Sequence, residues 1–288
     1  MVRWFKDLTR VKAVGEAFRS LGVDGCLAFE ELDKQLRVVK DLVDLCGVAR
    51  TTYLITANSL VSYMLRFRGE EFWSLFREFT LKRCNSVNDF TEAVELVKEF
   101  TKAYNNLSLE FKLRRLDSLI KCRELFKPLE KGDLRSYVAQ VARCLSSEPY
   151  SKTVVFSAKM SYYVFRVAGL KAYLEGVNIP VDRRVSLITL TSGMVNVGTQ
   201  AYGVKELMNY VDVLMREPKL VVEVWNEVSK VSGIPPIVID APVWIVGGYL
   251  SFNMGREEIV KELINSGLGG RVDVNVLRRL IQELTYKT

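Results

Sequence analysis

The segment Ser151-Lys152-Thr153-Val154-Val155-Phe156-Ser157-Ala158-Lys159-Met160-Ser161-Tyr162-Tyr163 sets two lysines in otherwise apolar or neutral surroundings. At about 100° per residue, Lys152, Phe156, Lys159 and Tyr163 share one narrow helical stripe, so two ammonium groups flank an aromatic ring. Ser151 is a good N-cap type and puts Lys152 in the first turn, where the helix dipole disfavours a cation by roughly 0.3–1 kcal/mol. Desolvation by apolar neighbours acts in the same direction. Both effects favour the neutral amine, the form that attacks electrophilic carbon in Schiff-base chemistry. The opposing reading is an ordinary wet helix face with both lysines extended into water.

A second chemical group follows in Ile179-Pro180-Val181-Asp182-Arg183-Arg184-Val185, which reads as an extended step ending in a helix N-cap at Asp182. Capping alone would explain an aspartate there. A carboxylate held rigidly by backbone N–H groups can also stabilise positive charge developing on a nearby sugar ring. Lysine nucleophile and anchored aspartate make a recognisable pair.

The chain has no histidine, which removes Ser-His-Asp and Cys-His nucleophiles, histidine proton shuttles and His-containing zinc sites. Cys26, Cys46, Cys84, Cys122 and Cys144 are scattered singly without a C-x-x-C pair, so no metal knuckle or iron-sulfur loop is supported. Their odd number and the lack of a secretory apolar region point to a reducing, cytoplasmic setting. The formal charge of +7 favours phosphate-rich partners without proving one. Val185 to Val204 carries no charge, but Ser186, Thr189, Thr191, Ser192, Asn196, Thr199 and Gln200 make it too polar for a membrane span.

The elements that must position these groups read as helices almost throughout, and the expected class is all-α. Among them are helices near 4–20, 29–46, 51–67, 109–125, 152–168, 183–197, 238–250 and 272–285. Gly69, Asn105-Asn106, Gly176 to Pro180 and Gly233-Ile234-Pro235-Pro236 supply the breaks. No repeat, low-complexity tract or long linker separates independent units, so residues 1–288 are expected to form a single unit of two lobes.

Three motifs taken in order carry a family resemblance: Ser151-Lys152-Thr153-Val154-Val155-Phe156, then Ile179 to Val185 with its Pro-Val-Asp, then Gly233-Ile234-Pro235-Pro236 with Asp240 to Trp244. The chain resembles the archaeal 8-oxoguanine-specific branch of the helix-hairpin-helix DNA glycosylases, most strongly between about 140 and 250 and not beyond about 255. The resemblance implies a bifunctional enzyme that excises 8-oxoguanine and then cuts the strand at the abasic site by β-elimination. It implies Lys152 as the Schiff-base nucleophile and Asp182 as its acidic partner. Phe156 and Trp244 match the aromatic pair that stacks the extruded base, and Lys159, Asp240, Gln35 and Trp73 match pocket residues. The glycines usual in the hairpin are replaced by Glu148-Pro149-Tyr150-Ser151, an atypical hairpin whose grip on the DNA backbone is therefore in question. A two-lobed fold is implied, with a central helical lobe at 50–168, a discontinuous second lobe from 1–49 and 169–288, and the catalytic groove between lobes. Neither metal nor organic cofactor is implied; the partner is DNA containing 8-oxoguanine or abasic sites, and the protein is expected to act as a monomer away from membranes.

Recognition of the lesion would turn on its N–H at position 7, where guanine has a lone pair. The Gln35 amide oxygen, a backbone carbonyl or Asp240 could accept it. Phosphate contacts would come from Arg183 and Arg184 beside the site in preference to the run Lys112, Arg114, Arg115, Lys121 and Arg123. The rival readings are a non-catalytic helical nucleic-acid-binding protein and a helical interaction scaffold, the latter accommodating the unmatched helices from 255 to 285.

Overall fold

Asp7 opens the first helix by accepting the Arg10 N–H at 3.0 Å, satisfying one of the donors that every helix start leaves unpaired. The helix α1 (Leu8–Glu30) follows a short strand, β1 (Trp4–Lys6), and carries Gly22 at φ +71° and ψ 172° in its interior. Glycine alone takes this step cheaply, and it divides α1 into two helical stretches. The helix expected at 4–20 thus starts later and continues past the break to Glu30. The computed structural model describes residues 3–122, 124, 126–198 and 202–288; Arg123, Thr199 and Gln200 lie outside the described residues.

The chain divides into two units, Lys34–Val177 and the discontinuous Met1–Asp33 with Asn178–Thr288. The contiguous unit holds α2 (Lys34–Cys46), α3 (Val48–Leu60), α4 (Gly69–Leu81), α5 (Phe90–Tyr104), α6 (Leu109–Lys121), the short α7 (Phe126–Glu130), α8 (Leu134–Cys144) and α9 (Lys152–Val167). Its limits differ from the expected 50 and 168. Helix α2 packs against α4 and α9, so it belongs with them, and the loop after α9 pairs Tyr173 with Asp133. At the centre, α3 packs on α5 and α9, and Phe72, Phe76 and Phe100 form a ring cluster with centroids 5.1–5.3 Å apart around Phe100.

Buried polar groups fix the turns of this unit. Lys112 donates from Nζ to Asn105 Oδ1 at 2.6 Å, to the Asn105 carbonyl at 3.1 Å and to the Met64 carbonyl at 3.4 Å, while Asn105 Nδ2 donates to the Val61 carbonyl at 2.8 Å. The exits of α3 and α5 are thereby stapled to α6. Lys112 is not part of a solvated basic face, contrary to its place in the expected run: its partners are neutral, and burial pushes its ammonium down to about 8. Disulfides join Cys46 to Cys84 and Cys122 to Cys144, contrary to the thiols that the expected reducing setting implies, and Cys26 is buried and free. Partners 38 and 22 residues apart leave no local motif.

Between α8 and α9 the hairpin turns without glycine. Ser146 takes the left-handed position at φ +47°, and the Ser147 N–H reaches back to the Ala142 carbonyl at 2.8 Å, closing α8 in the manner usually given to a C′ glycine.

The discontinuous unit continues with α10 (Arg183–Thr191), β2 (Val195–Val197), α11 (Val204–Leu214), α12 (Pro218–Ser232), α13 (Pro236–Ser251), α14 (Arg256–Leu263), a π-turn at Ile264–Leu268 and α15 (Val274–Leu284). The helix expected over 183–197 stops at Thr191; the chain then turns at Gly193 and pairs β2 antiparallel with β1, Phe5 opposite Asn196. Helix α1 packs on α12, α13 and α15, and Leu277, Leu280, Ile281 and Leu284 of α15 are buried. The C-terminal helices therefore complete this unit's core instead of forming an appended scaffold. With one two-stranded sheet among the described residues, the protein is all-α. Among those residues no single helix is long and apolar enough to cross a membrane.

Candidate active site

Helix α9 brings its stripe from solvent into the interior. Lys152, its first residue, is exposed, so the apolar enclosure expected around this amine is absent. Phe156 is half-buried, and every residue from Ser157 to Phe165 is buried. Lys159 is only 2% exposed, its Nζ 5.3 Å from the Tyr163 ring centroid, where the ring face attracts a cation. A wet helix face cannot describe this lysine. Ser151 has the extended backbone of an N-cap, but its hydroxyl bonds to Ser147 Oγ at 2.9 Å and not to an α9 N–H, so the expected side-chain cap is not formed.

Two further predicted pocket residues lie in the same unit. Trp73 on α4 is buried and meets Phe156 edge to face, with centroids 6.0 Å apart and planes at 63°. It is itself held by Phe72 and Phe76 at 6.0 and 5.5 Å, so it backs Phe156 with a fixed aromatic wall. Gln35 is buried on the first turn of α2, which packs against both α4 and α9. The packing of α2, α4 and α9 thus gathers the helices bearing Gln35, Trp73, Phe156, Lys159 and Lys152.

Asp182, Asp240 and Trp244 belong to the discontinuous unit. Asp182 caps α10 as expected: Oδ1 accepts the N–H groups of Arg184 at 2.9 Å and Val185 at 3.0 Å. Its other oxygen, Oδ2, accepts the Trp244 indole N–H at 3.1 Å. Three donors therefore fix both carboxylate oxygens. The arginine neighbours are less free than expected, because Arg183 pairs with Asp212 and the Arg184 guanidinium lies 3.7 Å from the centre of the Trp244 ring. Asp240 is 1% exposed and sits one turn before Trp244 on the same side of α13. Gly247 permits this arrangement, since a Cβ there would lie 2.9 Å from Arg184 Cβ and 3.0 Å from the Arg184 carbonyl.

Reading the sequence did not reveal the Trp244 N–H on Asp182, the guanidinium on Trp244, or Arg115 beside the head of α9. Arg115 Nη2 donates to Thr153 Oγ1 at 2.8 Å, joining α6 to the residue after Lys152. Burial lowers the Arg115 pKa from its usual value, with only Tyr63 and Tyr137 opposing the shift. The Tyr137 hydroxyl, pushed up to about 12 by burial, donates to Ser157 Oγ at 3.0 Å on the next turn of α9.

The all-α fold and the family match together give the class, that of the helical DNA glycosylases. The chain belongs to the AGOG family of N-glycosylase/DNA lyases, whose model matches residues 15–279. An N-glycosylase/DNA lyase of Aeropyrum pernix is 31% identical over 256 residues, covering 85% of this chain and 84% of that protein. Another, of Pyrobaculum aerophilum, is 26% identical and covers 89% and 93%. The fold is shared with the crystal structure of the 8-oxoguanosine-complexed AGOG 8-oxoguanine DNA glycosylase of Pyrobaculum aerophilum, at a TM-score of 0.68 and 24% identity over 90% of this chain and 96% of that one.

Proposed function

We propose that this protein excises 8-oxoguanine from DNA through a Schiff base on Lys152 and then cleaves the strand by β-elimination. The observation that carries the reading is the three-donor clamp on Asp182: a carboxylate with both oxygens fixed is preorganised for charge that develops elsewhere. Buried in a duplex, the damaged base is out of reach, so it is extruded at a cost of a few kcal/mol that stacking in the pocket offsets. Phe156, backed by Trp73, supplies one stacking face, and Trp244 is the second aromatic of the pair. Among Gln35, Asp240 and a backbone carbonyl, one acceptor receives the N–H at position 7 of the lesion.

The Lys152 amine attacks C1′, and the electron pair of the glycosidic bond leaves with the base. Asp182 offsets the positive charge of the oxocarbenium-like state or takes the proton shed by the attacking nitrogen. The ring then opens: the C1′–O4′ electron pair goes to O4′, which takes a proton, and the nitrogen lone pair forms the protonated imine. This imine acidifies C2′; loss of that proton breaks the C3′–O bond, the phosphate departs with the electron pair, and water frees the lysine. We place this activity in the cytoplasm, carried out by a monomer.

Borohydride trapping on an 8-oxoguanine duplex tests the reading. A covalent product in the wild type that disappears in Lys152→Gln is expected. Undiminished trapping in that variant overturns the nucleophile, and no trapping in either protein favours a non-catalytic DNA binder.

A further inference from the structure

Helix α6 carries two inward-facing cations one turn apart, and neither pairs with a carboxylate among the described residues. Lys112 is satisfied by neutral oxygens and serves as the staple described above. Arg115 is not satisfied. It is half-buried, its one hydrogen bond among the described residues is to Thr153 Oγ1, and its Nε is shut from solvent with no acceptor. No acidic group among the described residues forms an ion pair with it, and its electrostatic neighbours are the phenols Tyr63 and Tyr137. A guanidinium removed from water without a counterion is costly, and such groups persist where an anion completes them. The Nη N–H groups that Thr153 leaves unused, which unlike Nε are not shut from solvent, match the oxygens of a phosphate. The position is specific: Thr153 follows Lys152 directly, so the guanidinium is anchored to the first turn of α9, the turn that bears the amine, by a bond within one unit.

We propose that Arg115 receives a phosphate of the damaged strand flanking the nucleotide that Lys152 attacks, with Thr153 orienting its guanidinium. The placement rests on Lys152 being the nucleophile; the phosphate contact itself does not. Arg115 is a binding and positioning residue that sets the register of the strand over the amine. Arg114, exposed and 4.6 Å over the Phe111 ring, has no such anchor.

The test is a thermodynamic cycle on a duplex with a tetrahydrofuran abasic analogue, in which the phosphates flanking the analogue are replaced one at a time by neutral methylphosphonate. One of these replacements should weaken wild-type binding about tenfold, and Arg115→Gln should lose about the same affinity on the native duplex. Combining the two changes should then cost little more than either alone. The slope of log affinity against log salt should also be shallower by about one phosphate contact in Arg115→Gln and unchanged in Arg114→Gln. Glutamine keeps a donor for Thr153 without the charge, and Arg115→Lys, which restores charge, should recover the slope. An unchanged salt slope in folded Arg115→Gln, or losses that simply add, overturns the proposal and leaves Arg115 a tether between α6 and α9. Trapping by Lys152→Gln is scored separately: its persistence would overturn the nucleophile and the placement, while a flat cycle with trapping lost would overturn Arg115 alone.

Discussion

At Asp182 one side chain performs two separable jobs, and substitution can pull them apart. Asparagine is as good an N-cap as aspartate, so Asp182→Asn should leave unfolding stability nearly intact while suppressing excision and trapping. Asp182→Ala should in addition lose about 1 kcal/mol of stability. Full cleavage by Asp182→Asn would reduce the carboxylate to a cap. The Trp244 indole supplies the remaining bond, so Trp244→Phe keeps an aromatic face and removes only the donor to Oδ2. A loss of about tenfold in single-turnover excision is expected. If Trp244→Phe were as fast as the wild type, the clamp would owe nothing to α13. Asp182 itself was legible in the sequence because a Pro-Val-Asp step into a helix is a local signal. The indole bond spans 62 residues and has no local trace.

Helices reach their working positions here through contacts that periodicity does not encode. Helix α9 was readable because its 3.6-residue stripe continues from Lys152 to Tyr163, yet which part of it faces water followed only from how α2, α3 and α8 cover it. Helix α10 was read too long because strand pairing with β1, three residues near the other end of the unit, claims the segment after Gly193. The seat of α10 on α13 depends on Gly247. Gly247→Ala would set a methyl group against the Arg184 backbone and should destabilise the protein by about 1–3 kcal/mol with a larger loss of excision. Gly248→Ala meets only the movable guanidinium tip at 3.3 Å and should be far milder. Denaturant titration of both variants decides this, and equal effects would remove the close approach as the cause. The staple by Lys112 has a pH signature. Its pKa falls from 10.5 to about 8 on folding, so between those values the unfolded chain binds more protons and stability should rise with pH. In Lys112→Met this contribution should vanish, leaving a shallower rise between pH 7.5 and 9.5; parallel profiles for the two proteins would exclude it.

Over the whole molecule, the two disulfides divide unevenly: both lie in the contiguous unit and none among the described residues of the other, where Cys26 stays buried as a thiol whose pKa burial raises. Each bridge also ties elements that matter to the site. Cys46–Cys84 joins the end of α2, which bears Gln35, to the turn after α4, which bears Trp73. Cys122–Cys144 joins the end of α6, which bears Arg115, to the end of α8, just before the hairpin that leads to Lys152. Cross-links closing loops of this length stabilise by about 3–4 kcal/mol each in the chain-entropy account. Reduction of the intact protein should therefore speed amide exchange in α2, α4, α6 and α8 while leaving α1, α12 and α15 near their oxidised rates. Hydrogen exchange followed by peptide in the presence and absence of a phosphine reductant measures this directly. Equal acceleration in both units would show that they unfold as one cooperative block, and no acceleration in either would mean the bridges carry none of the contiguous unit's stability.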